Sequence, residues 1–166
     1  MTDPGTLETF AELSIGLIGF AGVVSALGKS RLHIETRSFR IKALLLYSVT
    51  ALLGSLLPIV LLSSELDPPG TWVISSIVFV LVCAGILIWG AYRLRRLALG
   101  GHIPAFMALA LWSIGALVVI GLIYALLFAT SSLHSVYLFG VAWALGMGVF
   151  HFCMLVVSIQ LQDENN

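Results

Sequence analysis

Five long apolar stretches constrain this chain more than any other feature of its sequence. They cover about residues 7–28, 42–62, 72–92, 104–129 and 136–161. A helix needs about 20 apolar residues to cross the ~30 Å hydrocarbon core of a bilayer. Hydrophobic residues make up 60% of the chain and charged residues only 10%, too few to cover a soluble surface. The sequence therefore predicts an all-α membrane bundle of five transmembrane helices in a single domain, residues 1–166.

The positive charges predict how this bundle is oriented. All eight basic residues lie just after the first and third stretches, namely Lys29, Arg31, Arg37, Arg40, Lys42, Arg93, Arg95 and Arg96. The segments after the second and fourth stretches hold no Lys or Arg. Because cytoplasmic loops collect Lys and Arg, we expect the N-terminus outside and the C-terminus inside a bacterial inner membrane.

The same cations suggest contact with lipid. We expect Lys29, Arg31, Arg37, Arg40, Arg93, Arg95 and Arg96 to attract anionic headgroups of the inner leaflet. The segment 29–42 interleaves these cations with apolar residues. It either lies flat on the membrane as an amphipathic stretch or forms an ordinary basic loop.

Two carboxylates stand in the first stretch, Glu8 and Glu12. Their spacing of four residues puts both on one face of a helix. An ionised carboxylate at the centre of a membrane helix costs at least ~2.5–3.5 kcal/mol. Residue counting at ~1.5 Å per residue places Glu12 on the order of 10 Å outside the midplane. Glu12 is either a proton or cation site, including a carboxylate ring in an oligomer, or an interfacial carboxylate that hydrogen-bonds locally.

Three further side chains are candidates for this ion or proton site. Tyr124 and Tyr137 lie in the outer half of the bundle, where a phenol could donate to Glu12 or belong to the aromatic belt. His151 lies deep in the fifth stretch. It either relays protons, binds a ligand or hydrogen-bonds to a neighbouring helix. We expect no direct contact with Glu12, because the two differ by roughly 15 Å in depth.

The first stretch also carries a series of small residues at every third position. These are Gly16, Gly19, Gly22, Ser25 and Gly28. Small residues let membrane helices approach closely. A three-residue spacing drifts around a 3.6-residue helix, so the series can serve more than one neighbour. It predicts either packing within the chain or self-association.

Cofactor, metal and enzyme signatures are not found in the sequence. Cys83 and Cys153 lack zinc-ligand spacing, and there is no HExxH, GxSxG or phosphate-binding glycine loop. His33, His102 and His134 lie in or beside loops, which argues against a haem held by two histidines. We expect no cofactor, no metal, no nucleic-acid partner and no enzymatic activity.

The first 60 residues resemble a group of small, functionally uncharacterised bacterial membrane proteins. The resemblance rests on Ala11-Glu12-Leu13-Ser14 before a glycine-rich helix, a basic segment, and a second helix that ends near Leu57-Pro58. It draws attention to Glu12 and implies no particular activity.

These observations favour a small oligomeric channel or transport protein that conducts cations or protons, with Glu12 as its intramembrane carboxylate. Two other functions stay open. One is a non-transporting scaffold or anchor subunit that packs against another membrane protein. The other is an intramembrane enzyme, or a protein that binds a lipid or quinone, that uses His151.

Overall fold

In a computed structural model, the structure describes residues 4–27, 34–64, 67–99 and 105–163. These residues form five helices and no strand. The helices are α1 (Pro4–Leu27), α2 (Ile34–Ser63), α3 (Pro68–Leu99), α4 (Ala105–Phe128) and α5 (Leu133–Asp163), with a 3₁₀ turn at Thr130–Ser132 before α5. Helix α4 contains the shorter apolar segment Trp112–Phe128, and the other four are long and apolar enough to cross a membrane. The prediction of an all-α membrane bundle is confirmed.

Two helices extend further than the apolar stretches predicted. Helix α2 begins at Ile34 and α3 continues to Leu99, so both include basic residues expected in loops. Arg and Lys are good helix formers, and a helix that leaves the hydrocarbon can continue without exposing backbone groups to lipid. Residues 34–42 therefore belong to α2. They form neither a separate amphipathic stretch lying on the membrane nor a basic loop, the two structures predicted for this segment. Lys29 and Arg31 lie outside the described residues.

Helix α3 starts at an acidic cap. The backbone N–H of Gly70 donates to Asp67 Oδ2 at 3.3 Å, and the N–H of Thr71 donates to the Asp67 carbonyl at 3.0 Å. Pro68 and Pro69 occupy the first turn, where a missing N–H removes no helical hydrogen bond. This cap and the two prolines therefore fix where α3 begins.

Helices α2 to α5 form a bundle, and α1 packs on its outside against α2 and, less extensively, α5. The bundle core is mostly apolar. Its buried members are Ala51, Phe79, Cys83, Leu87, Val118, Val119, Leu122, Tyr137, Val141, Ala144 and Leu145. The Phe79 ring of α3 lies at the centre of this core, where it packs against Gly54 of α2 and Gly140 of α5. A Cβ placed on Gly54 would lie 2.9 Å from the Phe79 ring, and one on Gly140 would lie 3.0 Å from it.

Pro58 leaves one backbone carbonyl inside α2 without its helical partner. Proline has no N–H to donate to the residue four positions earlier, and that residue is Gly54. The hydroxyl of Tyr137 donates to this carbonyl at 2.6 Å, and Tyr137 is fully buried. An unpaired carbonyl in a bilayer interior is costly, so Tyr137 joins α5 to α2 where α2 needs a donor.

We predict that Tyr137→Phe destabilises the protein by about 1 kcal/mol, because the Gly54 carbonyl loses its donor. In a Pro58→Ala background the new N–H of residue 58 can donate to the Gly54 carbonyl. Tyr137→Phe should therefore lower the free energy of unfolding by less in that background. Unfolding by denaturant in detergent measures both values. Tyr124→Phe is the control, since Tyr124 is 60% exposed. An equal cost in both backgrounds would contradict this explanation.

Candidate functional site

Glu12 lies inside the apolar span Gly5–Ser25 of α1. Further along this helix, the side chain of Leu17 reaches Gly148 of α5, and Ser48 of α2 meets the same glycine. Glu12 is five residues before Leu17, so at ~1.5 Å per residue it lies about 7.5 Å from that contact along the helix, on its N-terminal side. The depth of Glu12 in the membrane stays a prediction.

The side chain of Glu12 faces away from the bundle. Leu7, Ala11, Ser14 and Ala21 are the buried residues of α1, whereas Glu8 and Glu12 are exposed. Among the described residues, no side chain forms a hydrogen bond or ion pair with Glu12. Within one copy of the chain, this carboxylate therefore lies in an apolar helix and is directed away from the other helices.

Two glycines continue the line of Glu12 along the same face. Gly16 and Gly19 follow at positions i+4 and i+7, which share a face with Glu12. Both are exposed, and a Cβ on either would meet no atom within 4 Å. The same holds for Gly22, which lies roughly a quarter of a turn away at 100° per residue. These glycines therefore do not pack within the chain. Ser25 is also exposed, and Gly28 lies outside the described residues.

The two tyrosines proposed as partners of Glu12 have other neighbours. Tyr137 is buried and bonded to Gly54. Tyr124 is exposed on α4, where its ring lies 5.4 Å from that of Phe128. The structure thus does not bring either phenol to the carboxylate.

His151 is buried, with 7% of its surface exposed, among rings from α2 and α5. Its imidazole stacks on Tyr47 with centroids 5.9 Å apart and meets the edges of Phe39 at 6.1 Å and Phe150 at 5.6 Å. A small cavity of about 30 Å³ adjoins it. No hydrogen bond, ion pair or ring contact joins His151 to Glu12 among the described residues, and their separation in depth stays a prediction. The sequence did not predict the stacking of Tyr47 on His151, because an aromatic residue in an apolar stretch does not indicate which side chains it will contact.

Exposed cations gather at one end of the bundle, termed the basic end. They are Lys42 of α2 and Arg93, Arg95 and Arg96 of α3. Trp89 stacks on Phe39 with centroids 5.6 Å apart, which brings the two helices together there. Arg96 also lies over the Tyr92 ring at 5.5 Å. Arg40 instead turns toward α5 and donates to the Met154 carbonyl at 3.0 Å, so it ties helices together. Arg37 lies on α2, in a part whose side chains are not described.

A groove opens to the membrane between α2 and α3, in the half of the bundle opposite the basic end. It encloses about 280 Å³. Leu53, Leu57 and Val60 of α2 form one wall, and Val78 and Val82 of α3 form the other. Tyr137 and Gly54 lie at its floor, bonded to each other.

These features define a multi-pass helical membrane protein with an outward carboxylate on its peripheral helix. Comparison of the chain with protein-family models, with curated proteins and with solved structures finds no match. Its function is therefore argued from its own residues.

We predict opposite effects for two glycine substitutions of the same kind. Gly54→Ala should lower stability by about 1–3 kcal/mol, because the new methyl group overlaps Phe79. Gly16→Ala should not lower it, since the methyl group enters open space and alanine favours helix by about 0.5–1 kcal/mol. Unfolding of each variant in detergent that keeps the protein monomeric checks both. A large loss for Gly16→Ala would contradict the outward placement of this face.

Proposed function

We propose that the protein is a small oligomeric channel or transport protein of the bacterial inner membrane. It assembles through the outward face of α1 and conducts protons or other cations past Glu12. One observation carries this proposal. Glu12 lies within an apolar helix long enough to cross a membrane, yet it faces away from its own bundle.

Lipid is a poor solvent for this face. A carboxylate near the bilayer centre normally faces protein or a water-filled space. A second copy of α1 provides protein there, and Gly16 and Gly19 leave room for its backbone to approach. Van der Waals contact between close backbones is a main source of helix association in membranes.

The arrangement also suits conduction. Glu8 lies one turn nearer the membrane surface than Glu12, on the same face. Two carboxylates in line can pass a cation or proton from water to mid-membrane. Rings of carboxylates contributed by several copies select cations in membrane pores. The proposed site therefore consists of Glu8 and Glu12 from each copy, beside the glycines that allow the contact.

We predict that Glu12→Gln lowers proton flux into liposomes at least tenfold, measured with an enclosed pH-sensitive dye. The amide keeps the shape of the side chain and removes its titratable group. Tyr124→Phe is the control and should retain the flux, because Tyr124 is exposed on α4 and lies outside the proposed site. Unchanged flux and unchanged assembly for Glu12→Gln would remove Glu12 from the proposal.

Assembly is tested separately with a bulky substitution at Gly16, which lies on the same face of α1 as Glu12. Gly16→Leu should shift the protein from oligomer to monomer in nanodiscs, as measured by native mass spectrometry. Gly22→Leu is the control, since Gly22 is equally open but lies off the Glu12 line. A stoichiometric partner protein that co-purifies, together with no flux, would instead support a scaffold or anchor subunit.

A second function, lipid binding, is favoured by the groove between α2 and α3. Its lining is mostly aliphatic, with the Phe79 ring. Its two polar side chains are bonded within the protein, Tyr137 to the Gly54 carbonyl and Thr50 to the Leu46 carbonyl. It is close to the lower end of ligand-pocket volumes, about 300 Å³, and it opens to lipid. Its proposed occupant is a single hydrocarbon chain of a membrane lipid.

We predict that a phospholipid with a photoreactive acyl chain cross-links preferentially to the groove. Val82→Trp should reduce this labelling severalfold by filling the space. Leu81→Trp is the control, because Leu81 is 68% exposed on the same helix and does not line the groove. Peptide mass analysis locates the label, and even labelling of all lipid-facing helices would argue against a specific site.

A further inference from the structure

Three exposed cations stand beside the cleft between α2 and α3 at the basic end. They are Lys42 of α2 and Arg93 and Arg96 of α3. Among the described residues, none of the three forms an ion pair with an acidic side chain. The stacked rings of Phe39 and Trp89 hold the two helices together at this end. An anionic group that docks here therefore meets cations from both helices.

These cations lie in line with the walls of the groove between the same two helices. Lys42 is eleven residues before Leu53 on α2, and Arg93 is eleven residues after Val82 on α3. Eleven residues make three turns with a remainder of only about 20° at 100° per residue. Leu53 and Val82 both line the groove. Each helix therefore carries a cation on the face with which it lines the groove.

The surface between the groove and the cations is open on α3. Gly85 lies between Val82 and Trp89, and a Cβ placed on it would meet no atom within 4 Å. Val82 is seven residues from Trp89, which is about 10 Å along the helix at ~1.5 Å per residue. One leaflet supplies about half of the ~30 Å hydrocarbon core. A lipid of the leaflet at the basic end can therefore reach the groove with the end of an acyl chain.

The three cations suit a phosphate group. The planar guanidinium of an arginine can donate two parallel hydrogen bonds to phosphate oxygens. Lysine can lay its apolar stem along the helix while its ammonium group reaches the headgroup level. A zwitterionic phospholipid also brings an ammonium group, which the same cations repel. The charge of this cleft therefore favours a phospholipid with a net negative headgroup.

We propose that the cleft between α2 and α3 binds an anionic phospholipid of the leaflet at the basic end. Its phosphate lies at Lys42, Arg93 and Arg96, and the end of one acyl chain enters the groove. This inference rests on the proposed binding of a lipid chain by the groove, and it adds the class of lipid that binds. Arg95 is not part of the site, because it lies about 160° from Arg93 around α3 at 100° per residue.

Selection by headgroup is tested with two photoreactive lipids in nanodiscs. Phosphatidylglycerol and phosphatidylcholine carry the same photoreactive group at the end of the same acyl chain. Phosphatidylglycerol should label the groove at least threefold more, and Arg93→Gln should remove most of this difference. Arg95→Gln is the matched control, since it removes the same charge from the other side of α3, and it should leave the difference unchanged. An equal loss in both variants would overturn the proposal.

The same experiment separates this inference from the lipid binding on which it rests. Equal labelling of the groove by both lipids, still reduced by Val82→Trp, would overturn the headgroup site and leave lipid binding by the groove. Even labelling of all lipid-facing helices would overturn both.

Native mass spectrometry gives a second measurement. One phosphatidylglycerol should stay bound to the unsubstituted protein and should be lost when Lys42→Gln and Arg93→Gln are combined. Both side chains are exposed, so the fold should survive these changes. Soluble glycerol 3-phosphate should not displace the lipid, because it has no chain to occupy the groove. A lipid retained by the double variant would overturn the site, and displacement by glycerol 3-phosphate would overturn the part of the groove in it.

Discussion

Helix α2 contains one backbone carbonyl that it cannot satisfy itself, and the Tyr137 hydroxyl of α5 donates to it. In hydrocarbon, helices gain little from burying apolar side chains, so close packing and internal hydrogen bonds must hold them together. Pro58 creates the acceptor at Gly54, and Tyr137 supplies the donor. The close packing lies beside this bond, because the Phe79 ring is 5.3 Å from the Tyr137 ring and fits against Gly54 and Gly140.

Glycines have two different uses in this protein. Gly54, Gly115 and Gly140 are tightly covered, and a methyl group on any of them would meet a large side chain at 3.0 Å or less. Gly16 and Gly19 face open space on α1. The first group lets helices of one copy approach each other. The second group leaves the backbone of α1 accessible beside Glu12. An accessible backbone stabilises the protein only when another helix packs against it.

The sequence was sufficient to predict the helices but not which faces they bury. Apolar length predicts a membrane helix because the bilayer imposes it, and the fold class followed directly. Outward and inward faces of α1 cannot be distinguished in this way, since lipid and protein interior are both apolar. The expected pairing of Tyr124 or Tyr137 with Glu12 rested on depth alone, and neither helix places its phenol on that side.

Glu12 and the contact of α1 with the rest of the bundle lie on different sides of that helix. Leu17 touches Gly148 of α5, whereas Glu12 points roughly 140° away at 100° per residue. A helix about 10 Å wide therefore separates Glu12 from α2 and α5 within one copy. In the proposed mechanism a second copy of α1 supplies the protein surroundings that Glu12 lacks among the described residues of its own copy. Oligomerisation is then part of the conduction mechanism itself, because a single copy leaves the carboxylate directed toward lipid.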